Sequence, residues 1–291
     1  MKKLFIFLFF PLALFAQLKV AVSYPYIGAL VEEIGAEHIK VIVLAKGNWD
    51  PHFVVPRPSL ISKLRQSDAL IMNGGQLEIG WLPPLIRRAS NRSVMPSSAS
   101  FLNLSHLLTL IQKPTSVDRS LGDVHPDGNP HFHLDPHNIL ILAEHISAFL
   151  TRLDPTNEDD YKNNLQKFTQ EWNTHLKRWD MLMEDKKGVK VIQFHDNLAY
   201  FIKAYGLETI ATIEPLPGIA PSSRHTLKLI KLIKAQNPPY ILHDVYHSSK
   251  TAEYIKSKTG IKVILMPHDI NALESVVSLS GLFDHLVQAV Q

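Results

Sequence analysis

The sequence predicts an α/β protein of two Rossmann-like lobes, each with a parallel sheet, joined by one long backbone α-helix. Two observations predict it. Short apolar strands alternate with helical stretches in both halves of the chain, the pattern of parallel sheets covered on both faces. Between the halves runs an uninterrupted amphipathic repeat far longer than any other.

The chain opens with Lys2 and Lys3, an apolar run over 4–14 and a small Ala16 before polar Gln17. This is the layout of a secretory signal peptide over 1–16. Its apolar run is shorter than the roughly 20 residues a bilayer-spanning helix requires. An N-terminal lobe over 17–153 follows. Residues 18–22 (LKVAV) read as a strand, 27–34 as a helix and 39–44 (IKVIVL) as a strand. A helix is expected over 58–64 and a strand over 69–72 (ALIM), ended by Asn73-Gly74-Gly75. The Pro-, Gly-, Ser- and Asp-rich stretch 113–129 reads as a loop, with a helix starting near Asn138.

A linking helix is expected in 154–187. Tyr161, Leu165, Phe168, Trp172, Leu176, Trp179 and Met183 recur at steps of three and four until Gly188. A helix of about 30 residues is roughly 45 Å long. The C-terminal lobe over 188–291 repeats the first in style. Strands are expected at 189–193, 209–213, 240–242 and 261–265, and helices at 198–204, 223–234, 251–259 and 279–290, with Ser222 or Ser223 as a cap.

There is no cysteine in the sequence. No disulfide framework holds the chain, and no cysteine follows the expected cleavage site to carry a lipid, so a free, non-lipidated periplasmic product is expected. A net charge of +3 is too small to imply nucleic acid, and a monomer is expected. Fifteen histidines stand out, and their placement matters more than their number.

In such sheets the loops leaving the C-terminal strand ends converge on one crevice. Asp50-Pro51-His52 follows the second strand, and Pro130-His131 precedes the helix near Asn138. His195-Asp196 follows the strand ending at Gln193, and Pro267-His268-Asp269 follows the last strand. Three histidines and one carboxylate complete a tetrahedron around a divalent ion such as Zn²⁺. The expected site is therefore a metal site in the interlobe cleft, drawn from the donors of these four loops. No His-Glu-x-x-His helix is present, which argues against the competing reading, a secreted zinc hydrolase.

Asp50-Pro51-His52, Gly128-Asn129-Pro130-His131 with Asp135-Pro136, Phe194-His195-Asp196 with Tyr200-Phe201 and Tyr205-Gly206-Leu207, and Ile213-Glu214-Pro215 through Gly218 resemble the ZnuA-like solute receptors of ABC importers that take up zinc and manganese. The resemblance implies a non-enzymatic receptor that captures Zn²⁺ and delivers it to an inner-membrane ABC permease. Manganese or another divalent ion, or an adhesin of the same fold, is the alternative it leaves. It carries the ligand role to His52, His131 and His195. A histidine at the third position goes with zinc, where manganese-type relatives carry glutamate. The family usually places aspartate before the proline after the last strand, where this chain has Met266. Asp269 is the first choice for the fourth ligand, His268 the second, and water a third. His125, His133 and His137 read either as a sparse metal-capturing loop or as flexible surface residues. Glu214, Asp50, Asp135 and Asp196 are candidates to orient ligand histidines or to cap turns. The remaining histidines read as structural or solvated.

Overall fold

Eight strands form two four-stranded, all-parallel sheets with the same strand order in a computed structural model that describes residues 17–115 and 125–291. The expected signal segment and the middle of the 113–129 stretch lie outside the described residues. In the first sheet β1 (Leu18–Val22) is flanked by β2 (Ile39–Val43) and β3 (Ala69–Met72), with β4 (Phe101–Asn103) beyond β3. In the second, β5 (Lys190–Gln193) is flanked by β6 (Glu208–Thr212) and β7 (Tyr240–Asp244), with β8 (Lys262–Met266) at the edge. The order reverses beside β1 and beside β5, so each lobe opens a crevice there at the C-terminal strand ends.

Central strands are apolar throughout because helices cover both faces. Val20, Ala21 and Val22 of β1 are fully buried. Helix α1 (Pro25–Gly35) starts on a proline, whose missing N–H costs nothing in the first turn, and buries Ile27, Leu30, Val31 and Ile34 on one stripe. Helices α2 (Pro58–Arg65), α3 (Leu82–Ala89) and α4 (Asn138–Leu153) complete the first lobe. Helix α3 and strand β4 have no counterpart among the sequence expectations. Pro83-Pro84 lies in the first turn of α3, where a missing N–H costs nothing. Strand β4 has only three residues, too few to show a period.

Helix α5 (Glu158–Met183) is the long link, 26 residues and so about 39 Å. Its first turn carries Glu158, Asp159 and Asp160, which complement the positive end of the helix dipole. Its apolar stripe, Tyr161, Phe168, Trp172, Leu176, Trp179 and Met183, is buried. The second lobe adds α6 (Ala199–Ala204), α7 (Ser223–Gln236, capped by the Ser222 hydroxyl), α8 (Lys250–Thr259) and α9 (Leu279–Ala289). Helix α9 returns to α5: Phe283 packs on Trp172 and Trp179 at ring distances of 5.6 and 5.3 Å. Trp179 Nε1–H donates to Asp284 at 2.7 Å, and Arg178 pairs with the same carboxylate. Trp172 Nε1–H donates to the Pro136 carbonyl of the first lobe at 2.8 Å. One apolar core therefore runs from β1 through α5 to Val191 and Leu242 of the second sheet, and a smaller cluster fills the outer second lobe. An apolar core shared through one helix ties the lobes together more tightly than a polar interdomain contact would.

Candidate metal centre

His52 lies on the loop after β2. The Pro51 carbonyl accepts from Tyr24 Oη–H at 2.8 Å and from Trp81 Nε1–H at 3.1 Å, which pins the loop to the first lobe. The Asp50 carboxylate then accepts from the His52 amide at 2.9 Å and from its Nδ1 at 3.0 Å. Burial pushes the Asp50 carboxyl up, but its bonds to His52 more than offset this and hold it below the usual range. An ionised acceptor on Nδ1 keeps the proton there and leaves His52 Nε2 a free lone pair.

His195 follows β5 and repeats the arrangement. Its Nδ1 lies 2.8 Å from Oε2 of Glu214, itself buried at the end of the strand-turn after β6. His131 closes the set. The side-chain oxygen of Asn129 accepts its backbone N–H at 3.0 Å. Both nitrogens of its ring are buried without a hydrogen-bond partner. Burial, then the neighbouring His52 and His195, hold its proton affinity well below the ordinary histidine value. An orphaned buried polar atom costs about 1–3 kcal/mol, so a neutral imidazole with two of them fits a residue waiting for a cation.

The three rings converge. Centroids lie 5.3 Å (His52–His131), 5.3 Å (His52–His195) and 5.7 Å (His131–His195) apart, with interplanar angles of 68°, 79° and 89°. One ligand atom from each lies within 4.8 Å of the other two. Zinc–nitrogen bonds of about 2.0–2.1 Å in a tetrahedron put nitrogens roughly 3.3–3.4 Å apart. Small side-chain rotations close that difference. Three neutral imidazoles without thiolate suit borderline divalent ions. A cavity of about 310 Å³ opens beside His131 and His195 and is bordered by Gln112, His125 and Asp196.

Asp269 is not brought into this group. It is 2% exposed, and its Oδ1 accepts the Ile270 N–H at 2.7 Å. Burial raises its pKa well above the carboxylate range, only partly offset by bonds from the Ile270 and Tyr26 backbones. His268 is buried too, with its carbonyl 2.9 Å from His133 Nε2 and its ring edge-on to Tyr246. Met266 is packed in the core. Of the neighbouring histidines, His133 is a core residue rather than a surface one: it is 3% exposed and stacks on Tyr26 at 4.2 Å. A ring that flat against tyrosine, with one nitrogen on a buried carbonyl, gains packing that a loop motif does not reveal. His137 is exposed on Asp135. His125 faces His52, with the two Nε2 atoms 3.3 Å apart. Asp196 accepts from Gln112 and Gln193, fastening the loops of the two lobes together.

A further pair was not anticipated as part of the site. His247 Nε2 is 3.4 Å from Glu214 Oε1, and its Nδ1 is 2.9 Å from Asp244 Oδ2. A chain His195–Glu214–His247–Asp244 thus backs one ligand. Burial lowers the His247 pKa, but Asp244 and Glu214 more than compensate and raise it. The signal was present: Asp244 ends β7, at the same sheet edge that delivers His195.

The model of a family described as zinc-uptake complex component A, periplasmic (ZnuA), matches residues 20–289. Zinc-binding protein AdcA of Streptococcus pyogenes serotype M3 is 20% identical over 86% of this chain and 50% of its own length, so the chain spans about half of that relative. High-affinity zinc uptake system protein ZnuA of Bacillus subtilis (strain 168) is 26% identical, over 82% of this chain and 76% of its own. The manganese ABC transporter substrate-binding lipoprotein PsaA of Streptococcus mitis is 24% identical over 66% of this chain and 60% of its own. A crystal structure of ZnuA superposes with a TM-score of 0.80 at 26% identity, covering 94% of this chain and 98% of that one. The family's members are metal-binding transport proteins rather than enzymes. On a match that runs from β1 to the end of α9, the chain belongs to the ZnuA family of metal-binding solute-binding proteins.

Proposed function

We propose that the protein captures Zn²⁺ outside the cytoplasm on His52, His131 and His195 and delivers it to the permease of an ABC importer. The convergence of three imidazoles, each with one ligand atom within 4.8 Å of the others, carries this reading. Zinc is favoured over manganese by the donor set, because Mn²⁺ prefers carboxylate and carbonyl oxygen. Nitrogen from His195 fills the position through which a carboxylate would favour the harder ion. Export is read from the leader over 1–16, and the lack of any cysteine to lipidate supports release as a free protein, which we read as acting as a monomer. The mature chain is then read as a first lobe over 17–153, the link over 154–187 and a second lobe over 188–291.

The test is metal analysis of untagged protein, followed by zinc titration against a chelator and a parallel manganese titration. One equivalent of zinc, held far more tightly than manganese and lost in His195→Ala, is the expected result. Manganese bound as tightly as zinc, or zinc affinity unchanged in His195→Ala, would overturn the assignment.

A further inference from the structure

Neither residue at the end of β8 joins the three histidines: Asp269 turns inward onto the Ile270 amide, and the His268 ring packs edge-on to Tyr246. A different nitrogen stands beside His52. His125 Nε2 lies 3.3 Å from His52 Nε2, with ring centroids 5.3 Å apart at 31°. That separation is the edge of a tetrahedron of nitrogens around a zinc-sized ion, roughly 3.3–3.4 Å.

The hydrogen bonds around the two rings make the contact informative. Asp50 holds the proton of His52 on Nδ1, so His52 Nε2 presents a lone pair. His125 also borders the same cavity as His131 and His195, so its ring stands at the rim of the space that these two share with His52. The turn carrying His125 is built, not incidental. Gly128 N–H donates to the His125 carbonyl at 3.1 Å, and Gly128 adopts φ +114. A Cβ there would meet the Ile111 carbonyl oxygen at 2.7 Å, so the turn requires glycine. Asn129 then ties the turn to the second lobe, donating to the Asp196 carbonyl at 2.7 Å and accepting from Tyr200 Oη–H at 2.8 Å.

We infer that His125 is the fourth metal ligand, making a site of four imidazoles with no carboxylate in the inner sphere. This rests on the three-histidine reading above and adds one residue to it. Four neutral nitrogens leave the bound ion's charge uncompensated and favour Zn²⁺, Co²⁺, Ni²⁺ or Cu²⁺ over oxygen-seeking ions.

X-ray absorption on the zinc-loaded protein counts imidazoles directly, and zinc competition titrations compare His125→Ala with Asp269→Asn. Expected are four imidazoles in the wild type and three in His125→Ala. The affinity of His125→Ala should fall at least about tenfold, because losing even an outer-sphere partner costs that much. Asp269→Asn should stay within about threefold. Three imidazoles plus oxygen in the wild type, with zinc affinity unmoved by His125→Ala and lost in Asp269→Asn, would overturn the inference while leaving the three-histidine site intact. Unchanged binding in His195→Ala is the separate result that would remove the underlying site.

Discussion

Removing the acceptor behind His195 isolates how much of the metal affinity comes from fixing an imidazole rather than from the imidazole itself. Glu214 Oε2 lies 2.8 Å from His195 Nδ1, and both side chains are buried, so the bond is charge-assisted and shielded from water. Its partner at 3.4 Å, His247, and the Gly218 N–H at 3.3 Å keep the carboxylate in place. Glu214→Gln preserves volume and an acceptor oxygen but removes the charge, while Glu214→Ala removes the acceptor altogether. Outer-sphere partners of ligand histidines typically contribute 10–100-fold in affinity, about 1.4–2.7 kcal/mol. The glutamine variant should lie near the lower end and the alanine variant near the upper. Chelator competition at neutral pH reads both values, with melting curves to verify that the fold is intact. Zinc affinity within about threefold of wild type in both variants would refute the reasoning, because His195 would then hold its tautomer unaided.

Three more outcomes follow from particular residues. Zinc at 100 times its Kd should stabilise the fold by about 2.7 kcal/mol, seen as a rise in Tm that a chelator reverses; an unmoved Tm would mean that the folded form has no such site. Without metal, stability should fall as pH drops from about 6.5 to 4.5. Burial holds His133 and His125 to about 3 and His268 to about 4, with His131 also depressed, so the unfolded chain takes up these protons first. Burial raises Glu78 to about 7, and Asp269 and Asp196 above their ordinary values, and neighbouring carboxylates raise His247 and His137; these groups oppose the trend. A flat Tm across that window would contradict this. Asp284→Ala strands the Trp179 N–H at the junction of α5 and α9 and should cost about 1–3 kcal/mol in denaturant unfolding, with zinc affinity unchanged.

Much of this architecture is legible in the sequence because its signals are local. The alternation of β-branched strands with helices, and the three-and-four spacing from Tyr161 to Met183, need no tertiary information. The convergence of the loops that carry His52, His131 and His195 is legible through one rule, that loops at the C-terminal ends of parallel strands meet, and the resemblance picks the three histidines out of them. What escapes is direction. Asp269 sits in the right loop, but one residue's backbone turn aims its carboxyl at the Ile270 amide instead of the cleft. His133, two residues from a ligand, is drawn into the core by stacking on Tyr26. His125 reaches His52 through a glycine turn whose partner, Ile111, is distant along the chain. His247 and Asp244 obey the same strand-end rule as the ligands, yet Glu214, the residue that links them to His195, follows a different strand. None of these side-chain directions is encoded in periodicity or in a short motif.

The central claim is that one metal ion binds between the lobes on His52, His131 and His195. The most direct measurement is the anomalous diffraction map of crystals loaded with one equivalent of zinc. The account predicts a single strong peak about 2.0–2.1 Å from a nitrogen of each of these three residues. A peak elsewhere, or one touched by fewer than all three, would contradict it.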